Sequence, residues 1–295
     1  MSQRFGLHAS SGAGCWRRQG LRCRSGRVLR GTACYARAMT RETVLLDKRD
    51  GVAVVTFNRP RQRNAFNRQM WCEARDLLRE LLDDSTARVV IVTGAGEGFT
   101  AGQDLSEMSA APGDAEHPFG SFMDVLVAFD KPLLAAVNGV GVGIGLTLLL
   151  HCDVVYVAEE ARLRAPFVPL GVVPEAAASF MLPLIIGYQR AAEVLYTGDW
   201  IDAQRAVALG LASRACTRAE LLPALREVAT KIAAGPLGSI RHTKRLLLAT
   251  RADQVRAARA REDAGFIERV GTPENMEAIT AFFEKRPPDF SKIPG

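Results

Sequence analysis

The chain has 295 residues, 38 Lys plus Arg against 32 Asp plus Glu, and 48% hydrophobic residues, enough apolar material for one large domain or two small ones. This composition excludes a disordered or fibrous protein. No apolar run approaches the roughly 18 residues that would cross a bilayer, which excludes a membrane-embedded one. The formal charge of +6 is local: residues 1–40 carry eight arginines and no Lys, Asp or Glu, leaving 30 basic and 32 acidic side chains for the other 255 residues. A slightly acidic body lacks the basic patch that phosphate-backbone binding needs, so no nucleic-acid partner is expected.

Two readings fit residues 1–38. An acid-free, Arg-rich leader with serines has the composition of a mitochondrial transit peptide. Its six glycines disfavour a continuous amphipathic helix, and Met39 stands just before the first strand-like segment, which fits a reading frame opened too far upstream. Neither reading makes the leader a folded domain. Cys72, Cys152 and Cys216 of the body are too widely spaced for a zinc pair, and the four histidines are scattered, so reduced thiols and no metal site are expected.

In chain order, Val44–Leu46 and Val52–Phe57 flank Asp50-Gly51 and predict a hairpin. A polar loop, Asn58 to Asn64, follows. Asn67 is a candidate N-cap for a helix whose Met70, Ala74, Leu77, Leu78, Leu81 and Leu82 share one face. Val89–Val92, Leu133–Val137 and Val154–Val157 are short, fully apolar runs, the pattern of buried parallel strands. The expected class is therefore α/β, with right-handed crossovers covering a sheet and ligands bound at the carboxyl ends of its strands. Beyond about Gly187 the strands are expected to stop. Leu221, Leu222, Leu225, Val228, Ala229 and Ile232 then mark an amphipathic helix, and the Arg251–Arg261 stretch predicts a solvated helix face.

Three segments bear chemistry. Phe99 to Leu105 and Asn138 to Gly145 are small-residue loops after apolar strands, where two backbone N–H groups aimed at one point would form an oxyanion hole. Tight helix–strand packing is the other reading of the second loop, and the dinucleotide fingerprint fails there because the required glycine falls on Ile144, Leu146 or Leu148. The third, Ala165 to Ala178, holds one carboxylate, Glu175. It reads equally as a helix first-turn residue or as a proton shuttle desolvated by Phe167, Val172 and Val173.

With Asn58-Arg59-Pro60, Arg63-Asn64-Ala65, Phe99 to Leu105, Ala136 to Asp153, Gly198, Ala203, Gly210-Leu211 and the closing Phe282 to Arg286 in order, Leu45 to Phe290 resembles the crotonase, or enoyl-CoA hydratase/isomerase, superfamily. The resemblance implies a crotonase-like ββα spiral core over 39–186 and a helical C-terminal trimerisation region over 187–295, assembled as a homotrimer or dimer of trimers. It implies an acyl-CoA substrate, coenzyme A entering as the substrate thioester with no resident cofactor. It assigns the oxyanion N–H groups to Gln103 and Ile144. Arg61, Gln62 and Arg63 are implied near the CoA nucleotide, Ala101, Gly102, Asp104 and Leu105 against the thioester, and Lys285 at a CoA phosphate.

The two glutamates of the family's hydratases fall at Thr147 and Phe167 here. The segment Pro166 to Glu175 is instead similar to peroxisomal-type 3,2-trans-enoyl-CoA isomerases, whose one catalytic glutamate falls at Glu175. The expected activity is a double-bond shift from 3-enoyl-CoA to trans-2-enoyl-CoA in fatty-acid β-oxidation. The alternatives are a divergent hydratase or other crotonase-type acyl-CoA enzyme, and a non-catalytic acyl-CoA-binding module. The ending Ile293-Pro294-Gly295 is no peroxisomal signal. The expected compartment is the cytoplasm, or the mitochondrion if residues 1–38 are a genuine transit peptide.

Overall fold

The computed structural model describes residues 41–108 and 117–293; the leader lies outside the described residues. Strand β1 (Val44–Arg49) pairs antiparallel with β2 (Val52–Phe57) across a turn in which Asp50 and Gly51 both take positive φ. That requirement explains the Asp-Gly pair. β1 is an exposed edge beyond Val44, while β2 is almost wholly buried, which matches the charged run Asp47-Lys48-Arg49 on one and the apolar run on the other. A loop with a 3-10 turn at Pro60–Gln62 leads to α1 (Arg68–Asp83), where the Asn67 side chain accepts the Met70 N–H at 2.9 Å. Met70, Trp71, Ala74, Leu77, Leu78 and Leu81 are buried, whereas Leu82 is only partly so. Burying that stripe contributes on the order of 10 kcal/mol before chain entropy is subtracted.

β3 (Val89–Gly94), the short α2 (Leu105–Met108) and α3 (Phe119–Val127) precede β4 (Leu133–Val137). The chain then steps into β5 (Val140–Val142), one turn of helix, α4 (Ile144–Thr147), and a 3-10 turn at Leu148–His151. β6 (Val154–Ala158) and β7 (Arg162–Arg164) repeat the step. β1-β2-β3-β4-β6-β9 form the larger sheet and β5-β7-β8 a smaller one. Except for the β1–β2 hairpin, every pair in the larger sheet is parallel. Successive strand pairs, one strand in each sheet, followed by helical turns make the spiral.

The remainder is α5 (Ala178–Ile186), α6 (Tyr188–Thr197), β8 (Ile201–Asp202), α7 (Ala203–Leu209), β9 (Arg214–Cys216), α8 (Arg218–Ala233), α9 (Leu237–Ala249), α10 (Ala252–Arg269) and α11 (Pro273–Glu284). The expectation that strands end at Gly187 is corrected by β8 and by β9, which extends the larger sheet beside β6. Each is two or three residues long and partly polar, so neither makes an apolar run. α8 buries Leu221, Leu225 and Ala229 against that sheet, with Leu222, Val228 and Ile232 partly buried beside them. Thr40–Gly295 forms one compact unit.

Two buried lysines brace this framework. Lys131 Nζ donates to the carbonyls of Leu81, Asp84 and Ala87 at 2.5, 2.7 and 2.9 Å, tying the end of α1 to the start of β4. Lys244 Nζ, on α9, donates to the Lys131 carbonyl and to Asp153, both within 2.8 Å. The Arg251–Arg261 stretch is less solvated than its composition predicts: Arg259 pairs with Asp124 on α3 and Arg251 is half-buried.

Candidate active site

The site is built from three loops, and the sequence segments that carry them are brought together. The first turns on Asn64, fully buried, whose side chain accepts the Arg59 N–H and donates to the Ala95 and Gly98 carbonyls. Ala101 N–H donates to the Arg63 carbonyl, Phe66 N–H to the Gly102 carbonyl and Asp104 N–H to the Phe66 carbonyl. The Gln103 N–H, between these, takes no acceptor among the described residues. Its side chain is fixed by the Trp71 indole N–H, which donates to Gln103 Oε1 at 2.9 Å.

The second loop lies directly against the first. Thr100 bridges Gly141, and a Cβ at Gly102 would stand 2.7 Å from the Val142 carbonyl oxygen, so only glycine permits the approach. Gly143, at φ 57° and ψ −116°, occupies a region open to glycine. This conformation turns the following peptide so that the Ile144 N–H also has no acceptor within the described residues, while Leu146 and Thr147 both donate back to the Gly143 carbonyl. The close packing of the two loops leaves the Gln103 and Ile144 N–H groups without acceptors among the described residues.

The third loop brings Glu175. A Cβ at Gly143 would lie 3.9 Å from Glu175 Oε1, so the carboxyl stands beside the second loop. Of the two readings of Glu175, the helix first-turn one is excluded: α5 begins only at Ala178, and the Ala178 N–H donates to the Glu175 carbonyl. The side chain keeps an edge to solvent, yet its carboxyl is surrounded by protein. Desolvation pushes its pKa up to about 8, with the charges of Glu262 and Asp263 on α10 adding to the rise. Those acidic neighbours were not legible in the Ala165–Ala178 segment.

Glu175 is held by residues that sequence reasoning did not assign. Ala176 and Ala177 both take φ of 60°, an unusual pair for alanine. The buried Glu262 carboxylate accepts the Ala177 N–H at 2.6 Å and the Ser179 N–H at 2.7 Å. On the other side buried His151 lies 2.8 Å from the Ala176 carbonyl through Nε2. Since a carbonyl only accepts, Nε2 carries the proton, and burial pushes the imidazole pKa down to about 4, leaving it neutral. The available signal for Glu262 was its place on a stripe with Val255 and Ala258, which are also buried.

The other sequence-derived residues divide. Thr147 is fully buried with an Oγ1 that has no hydrogen-bond partner, and Phe167 is buried, so no carboxylate stands at either position. Arg61, Gln62 and Arg63 are exposed on the rim of the first loop, and Leu105 is half-buried. Asp104 turns inward, pairing with Arg59 at 2.9 Å and accepting the Ser106 hydroxyl at 2.7 Å. Its carboxylate therefore braces the first loop. Burial opposes ionisation of Asp104, but these hydrogen bonds outweigh it and hold its pKa below the usual range. Lys285 is exposed at the end of α11, and no described contact joins it to the loops around Gln103 and Ile144. A separate cavity of about 520 Å³ between α3 and the α9–α10 corner, lined in part by His151, Arg251 and Arg259, includes none of the three central residues.

A carboxyl with raised proton affinity beside Gly143, and free N–H groups at Ile144 and on the adjoining loop at Gln103, form an arrangement that can stabilise an enolate-type oxyanion while moving a proton. Residues 47–293 match the family model described as enoyl-CoA hydratase/isomerase. The chain is 31% identical over 257 residues to crotonyl-CoA hydratase from Syntrophomonas wolfei, covering 85% of this chain and 99% of that protein. It is 33% identical over 251 residues to 2,3-dehydroadipyl-CoA hydratase from Escherichia coli, covering 84% and 98%. A solved enoyl-CoA hydratase/isomerase from Pseudoalteromonas atlantica superposes with a TM-score of 0.81 at 35% identity, over 84% of this chain and 99% of that one. The chain belongs to the enoyl-CoA hydratase/isomerase family, and its fold is the crotonase fold.

Proposed function

We propose that the protein shifts the double bond of a 3-enoyl-CoA to the trans-2 position, in the oxidation of unsaturated fatty acyl chains. The observation that carries this reading is the placement of one carboxyl, Glu175, beside the Gly143–Ile144 oxyanion loop, with Thr147 and Phe167 where a second carboxylate would stand. Glu175 removes a proton from carbon 2, and the electron pair moves through the former 3,4 double bond. The resulting dienolate oxygen is held by the Gln103 and Ile144 N–H groups, and the same carboxyl returns the proton at carbon 4. The base is regenerated and no water or resident cofactor is consumed, coenzyme A entering as part of the thioester.

In this reading Arg61, Gln62 and Arg63 line the entry for the CoA nucleotide, Ala101, Gly102 and Leu105 flank the thioester, and Lys285 meets a CoA phosphate. The chain works as a homotrimer or dimer of trimers, in the cytoplasm, or in the mitochondrion if residues 1–38 direct it there. The second reading is a divergent hydratase, favoured by the names of the relatives, in which the free Thr147 hydroxyl would help hold water. Offering the protein 3-enoyl-CoA and 2-enoyl-CoA separates the two. Formation of the conjugated thioester from the first, lost in Glu175→Gln, supports the isomerase, whereas hydration of the second without isomerisation would overturn it.

A further inference from the structure

We infer that Glu262, on α10, is a positioning residue for Glu175: it clamps the left-handed Ala176–Ala177 corner and lays a second negative charge beside the base. This inference rests on the reading of Glu175 as the proton shuttle.

The geometry is specific. Two successive alanines at φ of 60° place the Ala177 and Ser179 N–H groups toward α10, at the N-terminal end of α5. Both oxygens of Glu262 are used, one on each N–H, at 2.6 and 2.7 Å. Burial raises the proton affinity of Glu262, whereas the Ala177 and Ser179 N–H groups, at a helix N-terminus, favour its charged form. The corner is gripped from the opposite side by the neutral His151, whose Nε2–H reaches the Ala176 carbonyl. Glu175 is the residue before this clamped corner, so its side-chain direction follows from it. Without the clamp the alanines would relax to negative φ and swing Glu175 away from Gly143.

The charge has its own consequence. Glu262 and Asp263 on α10 face Glu175; the 148–151 turn contributes only neutral His151, and the segments Gly139–Thr147, Pro166–Pro174 and α5 contribute no titratable group. Nearby carboxylates make a protonated Glu175 easier to keep. Desolvation alone raises its proton affinity, and Glu262 adds to it. A base with an affinity near neutrality both takes and returns a proton readily, which a single-carboxyl shuttle requires.

Two variants separate reach from charge. Glu262→Gln keeps one acceptor and removes the charge; Glu262→Asp keeps the charge and shortens the reach. In the double-bond shift assay, Glu262→Gln is expected to move the acidic limb of kcat/KM to lower pH by half a unit or more and to lower the plateau kcat about tenfold, with KM nearly unchanged. Glu262→Asp is expected to lower kcat while leaving the limb in place. The same displacement is read without turnover from the Glu175 carboxyl carbon resonance in glutamate-labelled protein, assigned with Glu175→Gln. A wild-type limb and wild-type kcat in Glu262→Gln overturn the inference, as does a loss of kcat that only tracks a fall in melting temperature with the limb unmoved. If Glu175→Gln itself keeps full turnover, the reading of Glu175 fails. If Glu175→Gln is inactive and both Glu262 variants behave as wild type, only the present inference fails.

Discussion

Gly143→Ala separates backbone conformation from space at the oxyanion loop. A Cβ at this position meets nothing closer than Glu175 Oε1 at 3.9 Å, so no clash opposes it. The obstacle is the φ, ψ pair of 57° and −116°, where an L side chain is strained by about 1–3 kcal/mol. That is too little to unfold a domain stable by about 5–15 kcal/mol, but enough to make rotation of the 143–144 peptide the cheaper outcome. Rotation takes the Ile144 N–H out of the hole. Loss of one such donor lowers kcat by roughly 10²–10³, so the alanine variant should lose about 100-fold in kcat, with KM changed only a few-fold. Steady-state kinetics of the double-bond shift measure this, beside Gly120→Ala as a control, since a Cβ at Gly120 on α3 meets nothing within 4 Å. Wild-type kcat in a folded Gly143→Ala protein would refute the assignment of Ile144 as an oxyanion donor.

Three further outcomes follow from the same structure. With the Glu175 pKa raised to about 8, the reactive carboxylate is lost as pH falls through 8, so kcat/KM should be about 100-fold below its plateau at pH 6; a limb near pH 4.5 would contradict the desolvated environment. Lys131→Met removes the Nζ donor from three carbonyls, two of them in buried bonds, and should lower stability by about 3 kcal/mol, or roughly 6–12 °C in Tm by calorimetry; a change under 1 °C would show that α1 is not anchored there. Leu246, Leu247, Ile267, Met276, Phe282 and Phe283 leave apolar surface exposed on α9, α10 and α11, so sedimentation should give the mass of a trimer or hexamer, and a monomer would contradict the expected assembly.

What was legible in the sequence follows from the range of the interactions concerned. The Asp50-Gly51 turn, the Asn67 cap and the apolar strands are local, each set by a few neighbouring residues, and the structure reproduces them. β8 and β9 were missed because two or three partly polar residues become strands only through the neighbours they pair with. The Arg59–Asp104 ion pair joins residues 45 apart in the chain, so the brace it forms was not legible beside the expected contact of Asp104 with the thioester. Glu262 was hidden by composition: its helix is rich in exposed charge, and only the burial of Val255, Ala258 and Glu262 along one stripe distinguishes it. The candidate site was legible in its backbone donors and in Glu175, whose neighbours in the fold come from α10 and the 148–151 turn.

The most direct test of the central claim is turnover of a 3-enoyl-CoA by the full chain and by Glu175→Gln, with a 2-enoyl-CoA offered in parallel. The account predicts the conjugated 2-enoyl thioester from the first substrate, a loss of at least a thousandfold in the variant with CoA-ester affinity retained, and little hydration of the second. Full activity in Glu175→Gln, or hydration without isomerisation, would contradict it.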